Sequence, residues 1–258
     1  MCTDLTRLIR DPEIATLVHA ESGQRISTHA KLLCRYSPFF SSALGGPFQE
    51  STSKIVEIHD TEEWVLETFH HWLYFSELCW IADHPEKQEK EKLAEQEDKE
   101  DPDGLWTQYN LVKLCCFADQ YNVPKFFKDA LRELCERLNK GTGVDADAIL
   151  FAQDHLVETS PIVYMLAEAY IHFGLRPDDE KDGEEVMRKL KPAFAALVLE
   201  KIFEDRKIFK QQHNGVGPGL RIDIDTFLAG IDTVRDNKNR AGDQAMENNA
   251  DDQATEGA

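Results

Sequence analysis

The chain has 258 residues, 41% hydrophobic and 30% charged, and its 48 acidic residues against 29 basic ones leave a net charge of −19. So negative a body repels phosphate, which excludes a bulk electrostatic binder of nucleic acid or of anionic membrane surfaces. The longest apolar run, Ala193–Leu199, is far short of the ~18 residues that a membrane-spanning helix needs, and Met1–Arg10 carries two arginines without an apolar core, so no signal peptide is expected.

Two β-prone runs, Ile14–Ala20 and Arg25–Thr28, flank Glu21-Ser22-Gly23-Gln24 and predict a hairpin. His29–Tyr36 predicts a short helix with Leu32, Leu33 and Tyr36 apolar, ended by Ser37-Pro38. Ser37 then reads as the N-cap and Pro38 as the first residue of a second short helix, which carries Phe39, Phe40, Ala43 and Leu44 and stops at Gly45-Gly46-Pro47. Lys54–His59 predicts a strand. Asp60, with Glu63 three residues on, reads as the capping box of a long helix whose apolar stripe is Val65, Leu66, Phe69, Trp72 and Leu73.

Further stripes follow at helical spacing. Leu111, Leu114, Cys115, Ala118 and Tyr121 end at Val123-Pro124, because proline disfavours helical φ/ψ in its predecessor. Phe126, Phe127, Ala130, Leu131, Leu134, Cys135 and Leu138 end at Gly141 and Gly143. Ser160-Pro161 opens a helix with Ile162, Leu166, Ala169, Tyr170 and Phe173 inward, closed by Gly174. Residues 184–210 predict one more helix, kinked or restarted at Pro192, and Arg221–Phe227 alternates as an isolated strand would.

Charge is concentrated in two stretches. Asp83–Asp103 holds ten acidic residues and four lysines, and Gly242–Ala258 holds five acidic residues and no base. Both lack β-branched core formers and aromatic residues in the numbers needed to offset ordering entropy, so the first predicts a solvated insertion and the second a disordered tail. The six cysteines form no C-x-x-C pair and several lie on apolar faces, which predicts a reduced, intracellular protein, cytoplasmic or nuclear.

No catalytic constellation emerges. His70 and His71 are adjacent, so a helix points them ~100° apart and they cannot chelate one ion. Asp101-Pro102-Asp103-Gly104 and Asp223-x-Asp225 lack the ligand spacing and closing glutamate of a calcium loop, and Gly215-x-Gly217-Pro218-Gly219 follows no clear strand. Cys115 belongs to the core stripe, Cys116 reads as an exposed and weakly reactive thiol, and His29 reads as a hydrogen-bonding group at a helix start. The expectation is therefore no enzyme, no catalytic residue, no metal and no cofactor.

One set of motifs is more specific. His29, Leu33 and Cys34 precede Ser37-Pro38-Phe39-Phe40; Phe48-Gln49-Glu50-Ser51 precedes the strand Lys54–Ile58; Trp72-Leu73-Tyr74 ends the long helix; and Phe117-Ala118-Asp119-Gln120-Tyr121 leads to Val123-Pro124. In this order, over about residues 10–140, the chain resembles the BTB/POZ domain, and its acidic insertion and helical second half are similar to fungal members. The resemblance implies an α+β, mostly helical fold, with a small sheet and helical hairpins at 1–140, an insertion at about 82–105, an α-helical region at 141–212 and a largely disordered acidic tail at 213–258. It implies a protein–protein interaction module that pairs with itself or another BTB protein, through Leu5, Leu8, Ile9, Leu32 and Tyr36. The alternative is a substrate adaptor of a cullin-3-type ubiquitin ligase, with Phe48, Gln49 and Glu50 meeting the cullin. A transcriptional regulator without its own DNA-binding domain is a weaker reading. The chain departs from the family at Ala30, where a basic residue is common, at Ser76-Glu77 in place of Thr-Gly, and at Asp11-Pro12, where the register of the first strand's preceding aspartate is unsettled.

Overall fold

The computed structural model describes residues 13–78, 106–175, 186 and 188–211, all within one compact unit that spans Met1–Gln212. Strands β1 (Ile14–His19) and β2 (Arg25–His29) form the predicted hairpin, with Leu17 opposite Ile26. β3 (Ile55–Ile58) joins the other edge of β1 in parallel, giving a mixed sheet in the order β2-β1-β3. Alternation along β1 buries Ala15, Leu17 and His19 on one face, where Val56 and Ile58 of β3 are also buried.

Between β2 and β3 lie three short helices, α1 (Ala30–Tyr36), α2 (Pro38–Gly45) and α3 (Gln49–Ser53). Ser37 caps α2 as predicted: its fully buried hydroxyl accepts from the Phe40 amide at 3.1 Å and donates to the Tyr121 carbonyl at 2.7 Å. One side chain thus sets a helix start and ties it to a segment 84 residues later.

Helix α4 (Glu63–Phe75) departs from the sequence reading at its start. Asp60 is no cap; it takes a left-handed φ of 52° in the loop before the helix. Glu62 is the N-cap residue and makes no side-chain cap bond, so Glu63 stands at the first helical position, where a capping box cannot close. The Glu62 carboxylate instead accepts from the Trp64 indole N–H at 2.5 Å and pairs with Lys113.

Helices α5 (Gln108–Gln120) and α6 (Pro124–Asn139) pack as a hairpin, and their predicted stripes are all buried. The centre is aromatic. Phe69 and Trp72 of α4 meet Phe126 of α6 with ring centroids 5.5 and 5.0 Å apart, Phe69 meets Phe117 of α5 at 5.1 Å, and Phe40 of α2 stacks on Tyr121 at 5.9 Å. The Trp72 indole, fully buried, donates to Asp129 at 2.9 Å, so its polar edge is satisfied at the core boundary.

Helices α7 (Ala146–His155), α8 (Pro161–Phe173) and α9 (Pro192–Gln211) follow among the described residues. The sequence reading passed over α7, whose Asp145 cap accepts from the Asp147 amide at 3.1 Å. In α8 the buried set is wider than expected: Val163, Met165 and Ala167 are buried, whereas Tyr170 and Phe173 are only half-buried. Helix α9 starts at Pro192, which settles the alternative between a kink and a restart there. The division expected at residue 140 falls inside the compact unit. Gln108, fully buried, bridges it by donating to the Gly143 carbonyl at 2.9 Å and accepting from the Asp145 amide at 2.8 Å. The architecture is α+β and mostly helical with a three-stranded mixed sheet. No helix among the described residues is long and apolar enough to cross a membrane. The insertion at 82–105, the tail at 213–258 and the strand expected at Arg221–Phe227 lie outside the described residues.

Candidate functional site

Two concavities flank the end of α5. The first is an open groove of about 520 Å³ between α2 and the α2–α3 loop on one side and the α5–α6 turn on the other. Its apolar surface comes from Phe39, Ala43 and Phe48, and its polar rim from Glu50, Gln120 and Asn122. Phe48 is 56% exposed and Phe39 40% exposed, so part of each ring stays in water at the groove, while the Phe48 ring packs against Gly46 and the Phe39 ring stands edge-on to Phe40 and Tyr121. Local geometry holds the Phe48 ring there. A Cβ on Gly46 would come within 2.4 Å of the Ser42 carbonyl and 3.1 Å of the Phe48 ring, so only glycine fits that close approach. Opposite, Asn122 takes a left-handed φ of 46°, a conformation asparagine tolerates, and lets α6 begin at once with Pro124. The Ser37–Tyr121 bond locks the two walls together.

The second cavity, about 550 Å³, lies between the β1–β2 turn, the β3–α4 loop, α5 and α7. Buried His19 fixes two of its edges: Nδ1 accepts from the Ser22 amide at 3.1 Å, and Nε2 donates to the Thr61 carbonyl at 2.7 Å. A carbonyl can only accept, so the proton sits on Nε2. The Lys113 side chain, 10% exposed, pairs with Glu62 and lies 3.9 Å from the Tyr109 ring centroid.

The residues singled out from sequence are distributed unevenly over these features. Phe48 and Glu50 line the groove, with Glu50 half-buried, whereas Gln49 between them is exposed and does not line it. Of the self-association set, Leu5, Leu8 and Ile9 lie outside the described residues. Leu32 is only 2% exposed and packs in the chain's own core, so it offers almost no free surface. Tyr36 is half-buried, with its ring edge-on to Trp72 at 5.1 Å. His29 Nδ1 lies 2.8 Å from the Tyr74 hydroxyl, which ties β2 to the end of α4 and is a structural role.

The thiol reading needs correction at Cys116. It is half-buried, and burial, with the Asp119 carboxylate second, pushes its thiol up to about 12, away from a reactive thiolate. Burial also raises Cys115 well above its ordinary value and Cys135 to about 12. His70 and His71 diverge, the first edge-on to Tyr74 and the second stacked on Phe75. Burial lowers the His70 pKa; a hydrogen bond donated by the ring to the Ser27 backbone carbonyl opposes that, and the His71 charge adds a smaller lowering. Among the described residues no group of three or more His, Cys, Asp or Glu is placed to hold a metal ion.

Sequence reasoning quoted Phe39 and Gln120 only within motifs, not as surface residues, and did not single out Asn122, Lys113 or Phe151, which line these surfaces. The one available signal was Asn122 directly between a helix end and Val123-Pro124, a turn position. No family model matches the chain. Nor does any curated protein match it significantly.

Proposed function

We propose that the chain is a non-enzymatic protein-interaction module of the BTB/POZ type that docks a partner polypeptide in the groove between Phe39 and Phe48. The observation that carries this is the 56% exposure of Phe48, a large aromatic side chain that lines the groove and packs one side of its ring against Gly46. Exposing a phenylalanine costs solubility, and an aromatic anchor beside a pocket is the usual energetic centre of an interface.

A narrower reading, an adaptor of a cullin-3-type ubiquitin ligase, is favoured by the apolar-x-Glu order of Phe48-Gln49-Glu50 at the groove. The test is binding of a purified cullin-3 N-terminal region to the full chain by calorimetry, beside sedimentation of the full chain alone. Binding that is lost with Phe48→Ala and Glu50→Ala supports the adaptor. A self-associating chain with no cullin affinity leaves the general module and removes the adaptor. A monomer at tens of micromolar that also ignores the cullin refutes self-association and the adaptor together.

A further inference from the structure

The second cavity carries recognition chemistry that the docking groove does not use. Its lining includes the carboxylates of Glu21, Asp60, Glu62 and Asp119 against one lysine, Lys113. That ammonium is already engaged by Glu62 on one side and by the Tyr109 and Phe151 rings, at 3.9 and 5.7 Å, on the other. The arrangement shows, within this chain, how the wall holds a cation: a carboxylate to one side and aromatic faces to the other. The lining has four carboxylates to one lysine, and the Phe151 ring near Lys113 continues into a stack with His155 at 3.9 Å, which extends the aromatic surface. His155 Nδ1 is committed to the Phe151 carbonyl at 2.9 Å, which fixes that ring over its neighbour.

The cavity also adjoins the docking groove, since Gln120 lines both. From the charge excess, the aromatic wall and this continuity, we propose that the cavity receives a lysine or arginine side chain of the same partner polypeptide whose apolar residue seats against Phe48. The inference rests on reading the chain as an interaction module. A long basic side chain fits both parts of the lining: its methylene stem lies along the rings and its charged head reaches the carboxylates. The walls come from both the sheet-bearing part and α7, so the site needs the two to be folded together.

The test uses the isotope-labelled full chain, observed by amide NMR, and two capped tripeptide probes, one of arginine and one of its uncharged isostere citrulline. Arginine peptide is expected to shift the amides of Glu21, Asp60, Thr61 and Asp119, and citrulline peptide to leave them in place. Asp60→Asn with Glu21→Gln is expected to weaken arginine-peptide binding by about tenfold or more. Asparagine tolerates the left-handed backbone that Asp60 already adopts. Glu21 is exposed in the hairpin turn, so Glu21→Gln alone serves as a second variant, with a smaller loss in the same direction. Phe48→Ala is expected to leave arginine-peptide affinity unchanged while lowering partner affinity about 30-fold, which separates failure of the cavity from failure of the groove. Wild-type affinity in both carboxylate variants overturns the proposal, and so do shifts confined to the acidic stretches at 83–103 and 242–258.

Discussion

Replacing Ser37 with alanine tests whether the groove's two walls are held by one hydroxyl. Ser37 is fully buried, and its Oγ both accepts from the Phe40 amide at 3.1 Å and donates to the Tyr121 carbonyl at 2.7 Å. Removing it deletes an N-cap, which costs about 1 kcal/mol. It also strands a buried carbonyl at the end of α5, which costs a further 1–3 kcal/mol or so, for a total of about 2–4 kcal/mol. In a cooperative unit of this size that lowers Tm by about 5–15 °C. Urea denaturation followed by tryptophan fluorescence reads the loss as a lower midpoint with an unchanged slope. Ser42→Ala, exposed on the same helix, is the control and is expected to stay within about 0.5 kcal/mol of wild type. A Ser37→Ala variant equally close to wild type would show that the α2–α5 contact does not depend on this bond.

Other outcomes follow from the same structure. Phe48→Ala removes a ring that is 56% exposed, so Tm should move little, while partner affinity falls about 30-fold if Phe48 is the anchor; a large loss of Tm with intact binding would reverse the assignment. Burial holds the His70 pKa below its ordinary value, so the unfolded chain binds that proton more readily. The stability contributed by neutral His70 is thus fully present above about pH 6.5 and is lost as pH falls below it toward the lowered value. Urea midpoints at pH 5 and 7.5 should therefore differ less in His70→Gln than in wild type. With the Cys116 and Cys135 thiols pushed up to about 12, alkylation by iodoacetamide at pH 8, mapped by mass spectrometry, should leave both unmodified until urea unfolds the chain.

Much of the scaffold was legible in order. Stripes such as Val65, Leu66, Phe69, Trp72 and Leu73 need only a 3.6-residue period to declare a buried face, and Ser37-Pro38 announces a helix start whatever surrounds it. Helix α7 was hidden because Ala146–His155 is mostly small and polar residues, so its apolar contrast is weak even though Asp145 marks its start. The capping box at Asp60 read correctly as a pattern and failed as geometry, since the backbone turned left-handed there and began the helix later.

Sequence alone placed most of the helices and strands, though not α7 or the start of α4, because local periodicity and turn chemistry act over a few residues. It also named Phe48, though not what surrounds it. Tertiary structure alone decided that Leu32 is consumed by the core while Phe48 is left in water, and that Glu21, Asp60, Asp119 and Phe151 share one cavity. Those residues are 39, 59 and 32 positions apart in turn, and no short-range signal in a chain reports which distant surfaces close packing will bring together.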